Sequence, residues 1–244
     1  MIPKIIHYCW FGGKPLPKLA KKCIESWKKY LPDYEIKEWN ESNFDVNIIP
    51  YTQEAYKANK YAFVSDYARF WILYKYGGIY FDTDVEAIKN MDSIIARGAF
   101  MAREDKGHGY PQVATGLVVG CESDDKIIAE ILKKYNLRRF IDEENDSDII
   151  NVVHIVSSLF VERGLTGDNT IQKIANYSIY PSEYFCPMDS DTGAITKTCN
   201  TYAIHWYAGS WLNKKHRVNK RIKKIIGPQF TKCILKLKKM IHNL

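Results

Sequence analysis

An α/β fold is what this sequence predicts: a sheet flanked by helices, followed by a basic helical tail. Three observations carry that expectation. The first forty residues read strand–helix–strand. A long aromatic helix ends at Gly77-Gly78 and runs straight into the apolar GIYF (78–81). From Lys214 to Leu244 there are eleven Lys and Arg and no Asp or Glu.

The elements follow in order. IPKIIHYCWF (2–11) is a short apolar run ended by Gly12-Gly13 and Pro15, which reads as a buried first strand. Residues 16–30 put Leu16, Leu19, Ala20, Cys23, Ile24 and Trp27 on one face, the pattern of an amphipathic helix. YEIKEW (34–39) alternates as a second strand, and Asn40-Glu41-Ser42 marks a turn. Residues 52–76 read as largely helical. GIYF has strand composition. GAFMARE (98–104) and TGLVVGC (115–121) read as further strands, with a helix over DDKIIAEILKKY (124–135). Residues 142–160 read as helical without clear limits. YSIYPSEYFCP (177–187) reads as strand then loop, and TYAIHWYAGSW (201–211) as a late strand and loop. Residues 213–226 and 229–243 form two basic amphipathic segments separated by Gly227-Pro228.

Length and composition bound the function. The 244 residues, 46% hydrophobic and 26% charged, suffice for one large domain with a real core and exclude a disordered chain. The expected division is a domain over 1–212 and a tail over 213–244. Net charge is +7, so the residues before the tail sum to −4. An acidic body with a basic tail points to an anionic surface as partner. It argues against nucleic acid, for which the chain also lacks a recognised motif. The six Cys show neither C-x-x-C nor zinc-finger spacing. The N-terminus lacks a signal-peptide pattern, and no run of eighteen apolar residues exists. The expectation is a cytoplasmic protein with reduced thiols.

Three D-x-D motifs occur: Asp82/Asp84, Asp146/Asp148 and Asp189/Asp191. Fifteen Asp in such a chain give about one by chance, so the motif alone means little. Context separates them. Asp146/Asp148 sit in an acidic run, simplest as solvated surface. Asp189/Asp191 lie between Pro187 and Gly193, simplest as a turn. Asp82/Asp84 directly follow a buried-looking strand, where α/β sheets bind ligands. Alternation along an extended chain would send both side chains to one side. Two such carboxylates repel unless a cation neutralises them, and oxygen ligands suit Mg²⁺ or Mn²⁺. A metal-free turn at the strand end is the alternative. Upstream, Asp66 and Arg69 share a face of an otherwise apolar helix, either as a surface ion pair or as the edge of a polar pocket.

Together IHYCWFGG (6–13), FVSDYARFWILYKYGGIYFDTDV (63–85), YPSEYFCP (180–187) and IHWYAGSW (204–211) carry a family resemblance. The chain, over roughly residues 1–212, resembles the capsular-polysaccharide branch of glycosyltransferase family 32. That family shares a D-x-D sugar-binding motif with clostridial glucosylating toxins and yeast initiating mannosyltransferases. The resemblance implies a GT-A fold with a mixed sheet, a nucleotide-sugar donor, a divalent metal (Mn²⁺ or Mg²⁺) and retention of configuration. By the same resemblance Trp10 stacks on the base, and Asp66 and Arg69 hold sugar hydroxyls. Asp82 contacts ribose, sugar and metal; Asp84 binds metal; His205 is a C-terminal metal ligand. Ser210 and Trp211 close over the diphosphate. Ala114 stands where the family often has a polar residue, leaving Tyr110, Gln112 and Thr115 as weak acceptor-side candidates.

The expected activity is therefore a hexosyl transfer, from a UDP-hexose with galactose first, to a glycan or a polyprenyl-diphosphate-linked glycan in bacterial surface polysaccharide synthesis. No protein nucleophile stands out, so a front-face transfer is expected. A nucleotide-sugar hydrolase and a non-catalytic sugar- or nucleic-acid-binding protein are the alternatives. The basic tail fits the cytoplasmic face of an anionic membrane, at about 1 kcal/mol per Lys or Arg, or else packs on the domain.

Overall fold

The computed structural model describes residues 1–105, 109–140 and 151–209. Ser210, Trp211, the tail 213–244, Asp146/Asp148 and the first part of the helix expected over 142–160 lie outside those residues. The expected α/β architecture is present. A seven-stranded mixed sheet runs in the order β2-β1-β3-β6-β5-β8-β7. Its strands are β1 Ile5–Cys9, β2 Glu35–Trp39, β3 Gly78–Tyr80, β5 Phe100–Ala102, β6 Val119–Cys121, β7 Gln172–Ile174 and β8 Tyr177–Tyr180. A separate ribbon pairs β4 Val85–Ala87 with β9 Ala203–His205, antiparallel, with Val85 opposite His205.

Alternation along the central strands explains why the sheet is covered on both faces. Ile6, Tyr8, Ile79 and Phe81 join a cluster that includes Trp27 and Leu31. Cys9 and Tyr80 join the opposite cluster, with Tyr67, Phe70 and Ile128. The first cluster is closed by α1 Lys18–Tyr30, whose Ala20, Cys23, Ile24 and Trp27 are buried at helical spacing. Trp27 also donates from Nε1 to the Val85 carbonyl at 2.8 Å, which ties β4 to the helix. The second cluster is closed by α2 Pro50–Lys57, α3 Tyr61–Tyr76, α5 Lys126–Asn136 and α6 Val152–Val161. Asp125 and Asn151 cap the last two through the amides of Ile128 and His154.

Gly77 and Gly78 turn α3 into β3 with φ of 60° and 99°. A Cβ at Gly77 would lie 2.7 Å from the Ser123 nitrogen, and one at Gly78 2.7 Å from the Ile5 carbonyl. Only glycine meets both demands. Buried His7 sits beneath this turn. Its Nδ1 accepts from Trp39 Nε1 at 3.1 Å, so its Nε2 is the donor to the Gly77 carbonyl at 2.9 Å. Burial holds its pKa down at about 4. It is a structural residue in its neutral form.

Several expectations are corrected. Residues 52–76 are largely helical as expected, but in two helices, because Asn59 adopts a left-handed φ of 58° and Lys60 bonds back to the Ala55 carbonyl. The strand expected over 115–121 begins only at Val119; Leu117 bonds back to the Ala114 carbonyl in a turn. Ser182–Phe185 is a short helix, α7, where loop is expected, and Asp92–Ile95 forms another, α4.

Strand direction places the functional rim. β1 and β2 are parallel, β1 and β3 are parallel, β6 opposes both β3 and β5, and β8 follows β5. The C-terminal ends of β1, β2, β3, β5 and β8 therefore share one edge, joined by the turn that enters β6. Trp10, Asp82, Thr115 and Gly116, and Ser182 all leave the sheet there.

Candidate active site

Two side-chain clusters form on this rim. The first centres on Arg69, buried at 3% exposure. Its Nη2 donates to Asp66 Oδ1 at 2.7 Å and lies 3.3 Å from Asp82 Oδ1. Nη1 donates to Thr115 Oγ1 at 3.2 Å and Nε to the Ser65 carbonyl at 3.2 Å. The guanidinium stands 4.9 Å over the Tyr80 ring, and Tyr80 Oη donates to Asp82 Oδ1 at 3.0 Å. Two carboxylates thus share one guanidinium. Burial, together with Asp82 nearby, raises the Asp66 pKa to about 6 although Arg69 works against it.

The second cluster joins β4 to β9. Asp84 Oδ1 lies 3.3 Å from His205 Nε2, and Asp84 Oδ2 accepts from the Ala208 amide at 2.7 Å. The Asp84 carbonyl accepts from the Trp206 amide at 2.9 Å. Burial would raise Asp84, but His205 and the Ala208 amide hold it below the usual carboxylate value. Burial would lower His205; the carboxylate beside it prevails and raises it well above an ordinary imidazole. Tyr207 packs on the His205 ring, centroids 4.2 Å apart, and Trp206 Nε1 fastens the ribbon to Glu86 Oε2 at 2.8 Å.

Asp66, Arg69 and Asp82 therefore come together, and so do Asp84 and His205, but Asp82 and Asp84 take different partners. The reason lies in the backbone. Val85 bonds back to the Asp82 carbonyl at 3.1 Å, so residues 82–85 turn rather than extend, and alternation does not send both carboxylates the same way. Trp10 stands just past β1, partly buried, its Nε1 donating to the Lys14 carbonyl at 2.5 Å. Thr115 is buried against Arg69, so it supports the cluster rather than facing an acceptor. Tyr110 is exposed and stacks on His154. Asp189 accepts from Thr192 and from the amides of Asp191 and Thr192, the turn expected for that D-x-D.

Two contributors are not legible in the sequence. Tyr80 orients Asp82, as described. Gly116 accepts the Asp82 amide at 3.0 Å, and a Cβ there would meet Asp82 Oδ2 at 2.1 Å. The signal, a glycine after Thr115 at the start of an apolar run, reads equally as a strand residue.

Among the described residues no group of three His, Cys, Asp or Glu converges as a complete metal site. Asp84 and His205 nonetheless fit a partial one. Their facing atoms are 3.3 Å apart, close to the ~3 Å between neighbouring ligands on a six-coordinate cation with ~2.1 Å bonds. The oxygen-and-imidazole set suits Mn²⁺, and buried His205 Nδ1 has no hydrogen-bond partner among the described residues.

Residues 17–101, which contain Asp66, Arg69, Asp82 and Asp84, match the family described as "Glycosyltransferase sugar-binding region containing DXD motif". The chain is 26% identical over 219 residues to an uncharacterised glycosyltransferase of Acanthamoeba polyphaga mimivirus, covering 86% of this chain and 84% of that one. It is 30% identical over 146 residues to inositol phosphoceramide mannosyltransferase 3 of Schizosaccharomyces pombe, covering 57% of this chain but only 38% of the yeast protein. Among solved structures, the glycosyltransferase PaToxG superposes with a TM-score of 0.50 at 20% identity, over 66% of this chain and 70% of its own. The fold is that of the GT-A glycosyltransferases. The chain is a glycosyltransferase, and its residues 17–101 match a family of DXD-containing sugar-binding regions whose members generally bind a divalent metal.

Proposed function

We propose that the protein is a retaining, metal-dependent hexosyltransferase that takes a hexose from a nucleoside-diphosphate donor to a glycan or lipid-linked glycan. The observation that carries this reading is the juxtaposition of the Asp66–Arg69–Asp82 cluster with the Asp84–His205 pair on one sheet rim. Asp66 and Asp82 offer acceptors for sugar hydroxyls, and Arg69 fixes both. Trp10, on the same rim, offers an aromatic face to the base. Asp84 and His205 would hold the cation, which when bound would neutralise the leaving diphosphate as a Lewis acid. Asp82 is engaged by Arg69 and Tyr80, and Asp84 by His205 and Ala208, which disfavours either as a free nucleophile and supports front-face attack by the acceptor hydroxyl.

The named fungal relative is a mannosyltransferase, so the donor search covers GDP-mannose beside UDP-galactose, UDP-glucose and UDP-N-acetylglucosamine. The test is donor turnover over that panel with Mn²⁺ and Mg²⁺. One donor should be consumed in a chelator-sensitive way, faster with acceptor present. No consumption of any donor would remove the reading. A role in bacterial surface polysaccharide synthesis at the membrane belongs to the same proposal, and flotation with anionic liposomes, with and without residues 214–244, tests it.

Two further outcomes follow from the geometry. Asp66 gains a proton as pH falls through about 6, and only its ionised form keeps both oxygens as acceptors. At saturating metal, kcat/KM should fall about tenfold per pH unit below 6; a profile flat to pH 5 would count against Asp66 as a sugar ligand. Gly116→Ala drives a methyl into Asp82. Donor kcat/KM should drop about 100-fold, the scale of a ~1 Å misplacement, with the fold retained by circular dichroism; unchanged kinetics would show that Asp82 does not position the donor.

A further inference from the structure

Past β5 two short arms, residues 103–105 and 110–113, run antiparallel beyond the rim. Arg103 pairs with Val113, and the Glu104 amide donates to the Gln112 carbonyl at 2.9 Å. On the returning arm Tyr110 and Gln112 are exposed while Pro111 and Val113 are buried. Period-two alternation therefore presents Tyr110 and Gln112 on one open face. Tyr110 is 48% exposed. The exposed His154 of α6 continues its surface, the two rings near-parallel at 22° with centroids 6.3 Å apart. We propose that Tyr110 and His154 form a stacking platform for an inner pyranose unit of the acceptor glycan, behind the sugar that receives the hexose. This rests on the donor reading above, which sets where the accepting hydroxyl must lie.

Strand order places the platform. Along the rim come Trp10 after β1, Asp82 after β3, Thr115 and Gly116 before β6, then these arms after β5. The Asp66–Arg69–Asp82 cluster thus lies between Trp10 and the platform. With the base on one flank of the donor sugar, the other flank is left to the acceptor. Tyr110 is joined to Thr115, the partner of Arg69, by at most about 18 Å of extended chain. The buried Val113, Ala114 and Thr115 stand between platform and cluster, so the platform meets a unit behind the accepting sugar. The arms are fixed in advance of any ligand. Fully buried Arg103 forks onto the Asp105 carboxylate and donates from Nη1 to the carbonyls of Thr166 and Asp168 at 3.2 and 2.7 Å. Asp105 Oδ1 accepts the Gln112 amide at 2.8 Å, and Ser157 Oγ accepts the Val113 amide at 2.8 Å. Ser157 is one helical turn after His154, so the same contact sets His154 beside Tyr110. The chemistry suits a pyranose. Its C–H bonds carry partial positive charge and meet the negative face of an aromatic ring. Gln112 beside Tyr110 offers an amide that both donates to and accepts from ring hydroxyls.

The test is binding of the fluorescently labelled full chain to an array of mono-, di- and tetrasaccharides built from mannose, glucose, galactose and N-acetylhexosamines. At least one tetrasaccharide should bind more tightly than its own monosaccharide. Tyr110→Ala and His154→Ala should each weaken that binding, Tyr110→Ala by about tenfold, the scale of one aromatic stacking contact. Tyr110→Phe keeps the ring face and should bind as the wild type does. A blank array, equal binding of monosaccharides and tetrasaccharides, undiminished binding by Tyr110→Ala, or a loss in Tyr110→Phe as large as in Tyr110→Ala would each overturn the proposal. Donor turnover by the wild type is a separate readout. Its absence beside array binding that depends on Tyr110 speaks against the donor reading, and its presence beside a blank array speaks against the platform alone.

Discussion

Asp84→Asn is expected to leave a folded protein that no longer turns over its donor. The amide can still accept from Ala208, as Asp84 Oδ2 does at 2.7 Å, so the β4–β9 ribbon keeps its tie. What is lost is the negative charge facing His205. With one anionic ligand gone, stabilisation of the leaving diphosphate falls, and donor turnover should drop by a factor on the order of 10²–10³ or more. Metal-saturated initial rates on wild type and variant, with melting curves alongside, check this. A variant with wild-type turnover would place the metal elsewhere.

Arg69→Met is expected to carry the largest cost in stability. The side chain is almost fully buried and serves Asp66, Asp82, Thr115 and the Ser65 carbonyl at once. Methionine can fill much of the volume but leaves two carboxylates beside each other without a cation. Breaking a buried pair in this way costs about 3–5 kcal/mol, or roughly a 10 °C fall in Tm for a chain of this size. Arg69→Lys should recover only part of it, because one ammonium cannot span the partners that a guanidinium fork reaches. Asp66→Asn in the Arg69→Met background should restore some stability by removing one of the opposed charges. A Tm within 2 °C of wild type for Arg69→Met would mean that the carboxylates are neutral or solvated, contrary to the geometry described.

The sheet and most of its helices are legible because their signals are local. Cys23, Ile24 and Trp27 at helical spacing, the Gly77-Gly78 stop and the apolar GIYF each carry their own physics. Asp66 and Arg69 are legible as a pair because one helix turn joins them. The break at Asn59 is not, since its left-handed backbone is decided by how α2 meets α3. Short elements such as β4 and β7 gain definition only from their partners across the sheet. The separation of Asp82 from Asp84 depends on a turn whose two arms attach to distant chain, Gly116 on one side and residues 203–208 on the other. The expectation that both carboxylates face one ligand follows from an extended backbone that the turn replaces. Gly116 is invisible for the same reason: its role exists only where Asp82 approaches it.

The measurement that tests the central claim most directly is Mn²⁺ binding followed by the electron-paramagnetic-resonance signal of the free ion, with and without UDP. Wild type should take up one Mn²⁺ per chain, more tightly with UDP present. Asp84→Asn and His205→Ala should each leave most of the ion free at the same concentrations, while Asp66→Asn should still bind it with UDP. Equal uptake by wild type and both ligand variants, or no effect of UDP on any of them, would contradict a nucleotide–metal site on this rim.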